Sequence, residues 1–174
     1  MLFRSAFCKD SKFGLLFFKA AESFRQRRPT LEVKYFLLFS GLEAFARKAQ
    51  NDFGSNAAKP IAQTLKAHGF DVYQDNEKSR PRAIATYRDI RNAIFHNGEL
   101  ARIVPLGRKR KTALQSEDYL YHLQMLVCLT VMKVIGFEDL QRNWDCWFDL
   151  KPHGNLGQGD WSDFLVANAE VSKP

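Results

Sequence analysis

Residues 87–100 read YRDIRNAIFHNGEL, and they hold the types best suited to chemistry on a phosphodiester. On a wheel of about 100° per residue, Ile84, Tyr87, Ile90, Ile94 and Phe95 form an apolar stripe, and Arg91 falls inside it. An unpaired guanidinium there costs several kcal/mol, so Arg91 must meet a carboxylate, backbone carbonyls or an anionic ligand. Glu22 and Glu43, on two earlier helices, are the candidate internal partners. Asn92 and His96, four residues apart, share the neighbouring face with Arg88. Asn97-Gly98 is a left-handed stop signal, which sets His96 at the carboxyl end of its helix, where the dipole favours a cationic imidazole. A cation at that end, near an arginine, suits a phosphodiester.

The elements that must position these residues are helices. Periodicity predicts a first helix over 11–26 and a long amphipathic one over 31–50, with Thr30 as its cap and Phe36, Leu37, Phe39, Leu42 and Phe45 on its apolar face. A short helix over 58–70 follows, with Pro60 in its first turn and Gly69 just past its end. The motif helix spans 82–96. Residues 97–115 read as an irregular or hairpin-like excursion, and Ser116 caps a long helix over 117–136. The expected fold is all-α: an antiparallel up-and-down bundle of about five helices, with Phe36, Phe39, Leu42, Ile90, Ile94, Leu126 and Val131 in the core. The tail (138–174) gathers the three tryptophans near prolines and glycines, and reads as a folded-back appendage with a short last helix. One domain, 1–174, accommodates all of this.

Composition narrows the partners. With 26 Lys and Arg against 19 Asp and Glu, the net charge of +7 favours polyanions. No basic amphipathic helix stands out for a membrane surface, and His122, Gln124 and Lys133 interrupt the one long apolar run (119–137). Cys8, Cys128 and Cys146 are few, odd in number and widely spaced, and there is no convincing secretory signal, so the expected location is the cytoplasm. Cys128 is expected in the core. His68, His122 and His153 lack metal-ligand spacing, and Gly154, Gly157 and Gly159 do not follow a strand as a dinucleotide fingerprint requires.

RNAIFH (91–96) resembles the Arg-(Asn/Asp/His)-x-x-x-His motif of the HEPN superfamily, whose members are helical bundles and often ribonucleases. The surrounding YRDIRNAIFHNG is similar to the helix that carries that motif, and FLLFSGLEAFARKA (36–49) fits the long helix before it. The likeness covers 30–137 in architecture, with its strong residue matches within 87–98. It implies a metal-independent endoribonuclease without a cofactor, in which the RNA 2′-hydroxyl attacks phosphorus to leave a 2′,3′-cyclic phosphate. His96 would then be the acid or base, Arg91 the phosphate clamp, and Asn92 the residue that orients one of them or the scissile group. Arginine suits the clamp because its planar fork pairs phosphate oxygens bidentately. On a straight helix Arg91 and His96 diverge by about 140°. The family resolves this by pairing two such helices across a homodimer, so the active cleft is expected at a dimer interface. A toxin, antiviral-defence or RNA-processing role would follow, with an antitoxin or regulatory protein as a further partner.

Arg88, Arg102 and the run GRKRK, with Arg108, Lys109, Arg110 and Lys111, are the candidates for RNA backbone binding. The run carries no interleaved aromatics, which argues against base stacking there. Tyr87 reads as core. Two other readings stay open: a catalytically silent HEPN-like module for dimerisation or for binding nucleotides or a partner, and an adaptor bundle that carries the motif by chance. In either, Arg91 balances Glu43 and His96 caps exposed carbonyls.

Overall fold

In a computed structural model, residues 11–25, 30–75, 79–106, 110–137 and 143–149 are described. The fold is an all-α bundle with one small hairpin. In chain order it runs α1 (Ser11–Arg25), α2 (Leu31–Gln50), α3 (Ala58–Ala67), α4 (Ile84–Asn92), a π-helical turn (Ala93–Asn97), β1 (Ala101–Leu106), β2 (Arg110–Gln115), α5 (Ser116–Val134) and α6 (Cys146–Asp149).

Helix α2 is the central element, packed by α1, α3, α4 and α5. Its buried face presents Tyr35, Leu38, Phe39, Leu42, Phe45 and Ala46, spaced three and four apart as one helical stripe requires. Gly41 lets α1 lie close: a Cβ there would sit 3.2 Å from Lys19 Cβ and 3.6 Å from the Leu16 carbonyl. Lys19 consequently crosses α2, and its Nζ donates to Ser40 Oγ at 2.8 Å.

Helix α4 is fixed at its start by backbone. Ala83 has no capping side chain, so the first amides of α4 find other acceptors: Ile84 N–H donates to the Tyr73 carbonyl and Ala85 N–H to that of Gln74, at 2.8 and 2.9 Å. Two buried tyrosines lock it laterally. Tyr35 donates from α2 to the Tyr87 carbonyl, and Tyr87 donates to the Pro81 carbonyl. Burial pushes both phenols far above the ordinary tyrosine value, so Tyr87 is a structural donor, as a core residue should be. Its ring also meets Tyr119 edge-on at 5.7 Å, where α4 packs on α5.

β1 and β2 pair antiparallel, Ala101 opposite Gln115 and Leu106 opposite Arg110, so the hairpin leaves the motif helix and delivers the chain into α5. At the far end of the bundle, Trp147 of α6 is fully buried against the same core as Leu126 and Leu129. The rest of the tail lies outside the described residues.

Phe39, Leu42, Ile90, Ile94 and Leu126 are core residues, and Val131 is partly buried against them. Phe36 is not in the core: it is 41% exposed, at the edge of the Phe39–Leu42 stripe, where its ring meets the exposed Phe95. Phe95, 45% exposed, is also outside the core: it lies within the π turn, where its ring meets that of Phe36. Cys128 is only partly buried. Thr30 and Ser116 give no side-chain caps; Thr30 holds the cap position of α2 without the bond, and Ser116 is the first residue of α5, its buried Oγ without a partner.

Candidate functional site

The motif sits where α4 ends against the middle of α2. Arg91 Nη2 donates to Glu43 Oε2 at 3.0 Å, and the guanidinium carbon stands 5.2 Å from the centre of the Phe39 ring. Of the two carboxylates open to it, Glu43 is the one that it reaches; Glu22 lies by Arg25. The other oxygen of Glu43 accepts from Arg47 Nε at 2.9 Å, and Arg47 also donates to the Gly54 carbonyl. Two guanidiniums therefore share one carboxylate, which leaves one positive charge unbalanced within the trio. Their side chains are only 24% (Arg91), 19% (Glu43) and 18% (Arg47) exposed, so that charge is weakly screened. An anion approaching Arg91 meets a cation that is already oriented.

His96 differs in kind. It is exposed, and no side-chain hydrogen bond ties it to any described residue. It lies within the π turn, which Gly98 closes in the left-handed region at φ 67°. Gly98 N–H returns to the Ile94 carbonyl and Glu99 N–H to that of Ala93, both at 3.1 Å. A π turn closes i→i+5 bonds and advances less per residue than an α-helix. His96 lies inside this turn, so the divergence of about 140° from Arg91 belongs to an unbroken α-helix and not to this helix end. Asn92, half-buried, is the last α-helical residue before the turn.

The backbone-binding candidates scatter. Arg88 donates to Asp89 at 2.8 Å and to Asn56 at 3.0 Å, so its charge is already matched. Arg102 is exposed on β1. Arg110 and Lys111 begin β2, opposite Leu106 and Pro105, and lie out along the hairpin, about 13–17 Å from its base at Ala101. Arg108 and Lys109 lie outside the described residues. Sequence reasoning passes over Arg47, although its spacing of four from Glu43 on one helix is the signal of such a pair.

Away from the motif, His68 bonds the Thr64 carbonyl through Nδ1, and His122 lies among Tyr119, Tyr121 and Phe148. Among the described residues no group of three or more His, Cys, Asp or Glu side chains is placed to hold a metal ion, and no helix is long and apolar enough to cross a membrane.

Fold and site together define a class: a helical bundle with an oriented, half-buried arginine and an exposed histidine one turn on, at a helix end. Comparison with protein-family models, curated proteins and solved structures gives no match.

Proposed function

We propose that the chain is a HEPN-type endoribonuclease that cuts RNA without a metal ion, leaving a 2′,3′-cyclic phosphate and a 5′-hydroxyl. The observation that carries this reading is the contrast within one motif. Arg91 is oriented by Glu43 and retains net positive surroundings through Arg47, while His96 is solvent-accessible and uncommitted. A phosphate clamp needs the first property and a proton-transfer group needs the second.

In this mechanism Arg91 holds a nonbridging phosphate oxygen and stabilises the charge that builds on the phosphorane. His96 exchanges the proton of the attacking 2′-hydroxyl or of the leaving 5′-oxygen. Asn92 steadies the scissile group between them. A homodimer sets a second motif end across the cleft, so that acid and base are drawn from two copies. The charged hairpin, with Arg102, Arg110 and Lys111, guides the RNA backbone from outside the reacting centre. A cytoplasmic toxin, defence or RNA-processing role fits such an activity, with an antitoxin or regulator to restrain it.

The test is incubation of the full chain with a mixed RNA in excess chelator, with analysis of the product ends. Cleavage with cyclic phosphate ends supports the reading. Intact RNA, or ends bearing a free 3′-hydroxyl, overturns it. The silent-module reading draws on the same Glu43–Arg91 bond, which gives Arg91 a structural role whether or not RNA is cut.

A further inference from the structure

Beside the motif lies a surface that the nuclease chemistry does not use. The rings of Phe36 and Phe95 meet at 4.9 Å with their planes tilted by 47°, and both residues are substantially exposed. Lys19 Nζ stands 5.4 Å from the centre of the Phe36 ring, held there by Ser40. Val33, also exposed, precedes Phe36 by three residues and extends the same face of α2. Phe95 adjoins His96 in the chain.

Large aromatic rings kept in water beside a fixed ammonium combine a π-face with positive charge. That is the combination that holds unpaired nucleobases and the backbone between them. We propose that Phe36 and Phe95 form a stacking platform for an unpaired base next to the phosphate held at Arg91 and His96, with Lys19 meeting the adjoining backbone. The proposal rests on the reading of this helix end as RNA-facing, and it deepens that reading: the substrate is single-stranded at the cut, because a base locked in a duplex cannot turn onto the rings. Charge also selects the occupant. The Lys19 ammonium over the Phe36 ring and the Arg91 guanidinium over Phe39, three residues on, complement a polyanion. The platform supplies the stacking that the aromatic-free run at 107–111 lacks.

The experiment measures binding rather than cleavage. Fluorescence anisotropy follows the full chain titrating a labelled, uncleavable 2′-O-methyl oligoadenylate, and separately a blunt RNA duplex. The variants are Phe36→Ala with Phe95→Ala, Phe36→Leu with Phe95→Leu, and Phe36→Trp with Phe95→Trp, each confirmed folded by its melting curve. The alanine pair should weaken single-strand binding about tenfold or more, the scale of losing a stacked base, and leave the duplex nearly unchanged. The tryptophan pair should retain binding and the leucine pair should not. Unchanged binding by the alanine pair overturns the proposal, as does a wild type that ignores the single strand. Rescue by leucine, with a change in sedimentation, overturns it in favour of an interface between copies. If the platform behaves as stated and no RNA is ever cut, only the nuclease reading falls. If RNA is cut and the alanine pair binds normally, only the platform does.

Discussion

Glu43 and Arg91 meet at 3.0 Å where α4 crosses α2, 48 residues apart in sequence, and the same carboxylate also holds Arg47 at 2.9 Å. The trio is mostly buried but still reached by water, so its strength lies between that of a surface pair and a fully buried one. Glu43→Gln keeps the shape and removes the charge that both guanidiniums share. It should lower stability by about 1–3 kcal/mol, read as a reduced urea midpoint. Arg91→Ala should cost a comparable amount, and the double variant less than the sum, because the two changes remove one interaction. Strict additivity would show that the bond carries no coupling.

His122 sets a pH dependence. Its ring is surrounded by Tyr119, Tyr121 and Phe148, and its Nδ1 is buried without a hydrogen-bond partner. Burial lowers its pKa below the ordinary histidine value, against a smaller opposing pull from the Asp118 carboxylate. The unfolded chain therefore binds the proton more readily than the folded one. This contribution to stability is fully present above the ordinary value of about 6.5 and is lost as pH falls through the lower folded value. Melting temperatures measured from pH 7.5 down to 5 should decline, and His122→Phe should flatten the decline that belongs to this ring. An unaltered profile in His122→Phe would assign the slope to other groups.

The fold is legible in the sequence where the signal is local. The apolar spacing of 31–50 marks α2 at its observed bounds, and Asn97-Gly98 marks the end of the motif helix because φ 67° suits glycine. The excursion at 97–115 contains the hairpin Ala101–Gln115. Phe36 escapes such a reading because a wheel shows which residues share a face, not what stands opposite that face. The π turn has no residue signature, so the change of winding at Ala93–Asn97, which holds Phe95 and His96, is invisible in the sequence. At the site, Arg91 announces itself as a cation in an apolar stripe. Its sharing of Glu43 with Arg47 depends on how α4 crosses α2, which no local pattern encodes.

Gly98 controls that helix end. No atom lies within 4 Å of a Cβ placed there, so the penalty for a side chain comes from the left-handed backbone alone. Gly98→Ala should cost about 1–2 kcal/mol and Gly98→Asn distinctly less, since asparagine visits this region more readily. Chemical denaturation ranks the two. Equal losses would point to a steric clash in place of backbone strain.

The motif should separate stability from chemistry. His96 is exposed and unbonded, so His96→Ala should leave the unfolding free energy within about 0.5 kcal/mol of wild type. It should nonetheless reduce RNA cleavage about 10²–10⁴-fold if His96 moves the proton. Arg91→Ala should fail on both counts, losing the stability of the Glu43 bond and about 10²–10³-fold in rate from the missing clamp. Arg91→Lys should recover part of the stability but little of the rate, because an ammonium cannot fork onto two phosphate oxygens. Neutralising Arg110 and Lys111 should weaken RNA binding and flatten its salt dependence, by about 0.7 in the log–log slope for each phosphate no longer neutralised, while the cleavage rate at saturating RNA holds. Parallel assays of unfolding, single-turnover cleavage and salt-dependent binding distinguish these outcomes. A His96→Ala protein that cuts at the wild-type rate would remove His96 from the mechanism, and a hairpin variant that binds normally but cannot cut would move the chemistry to β2.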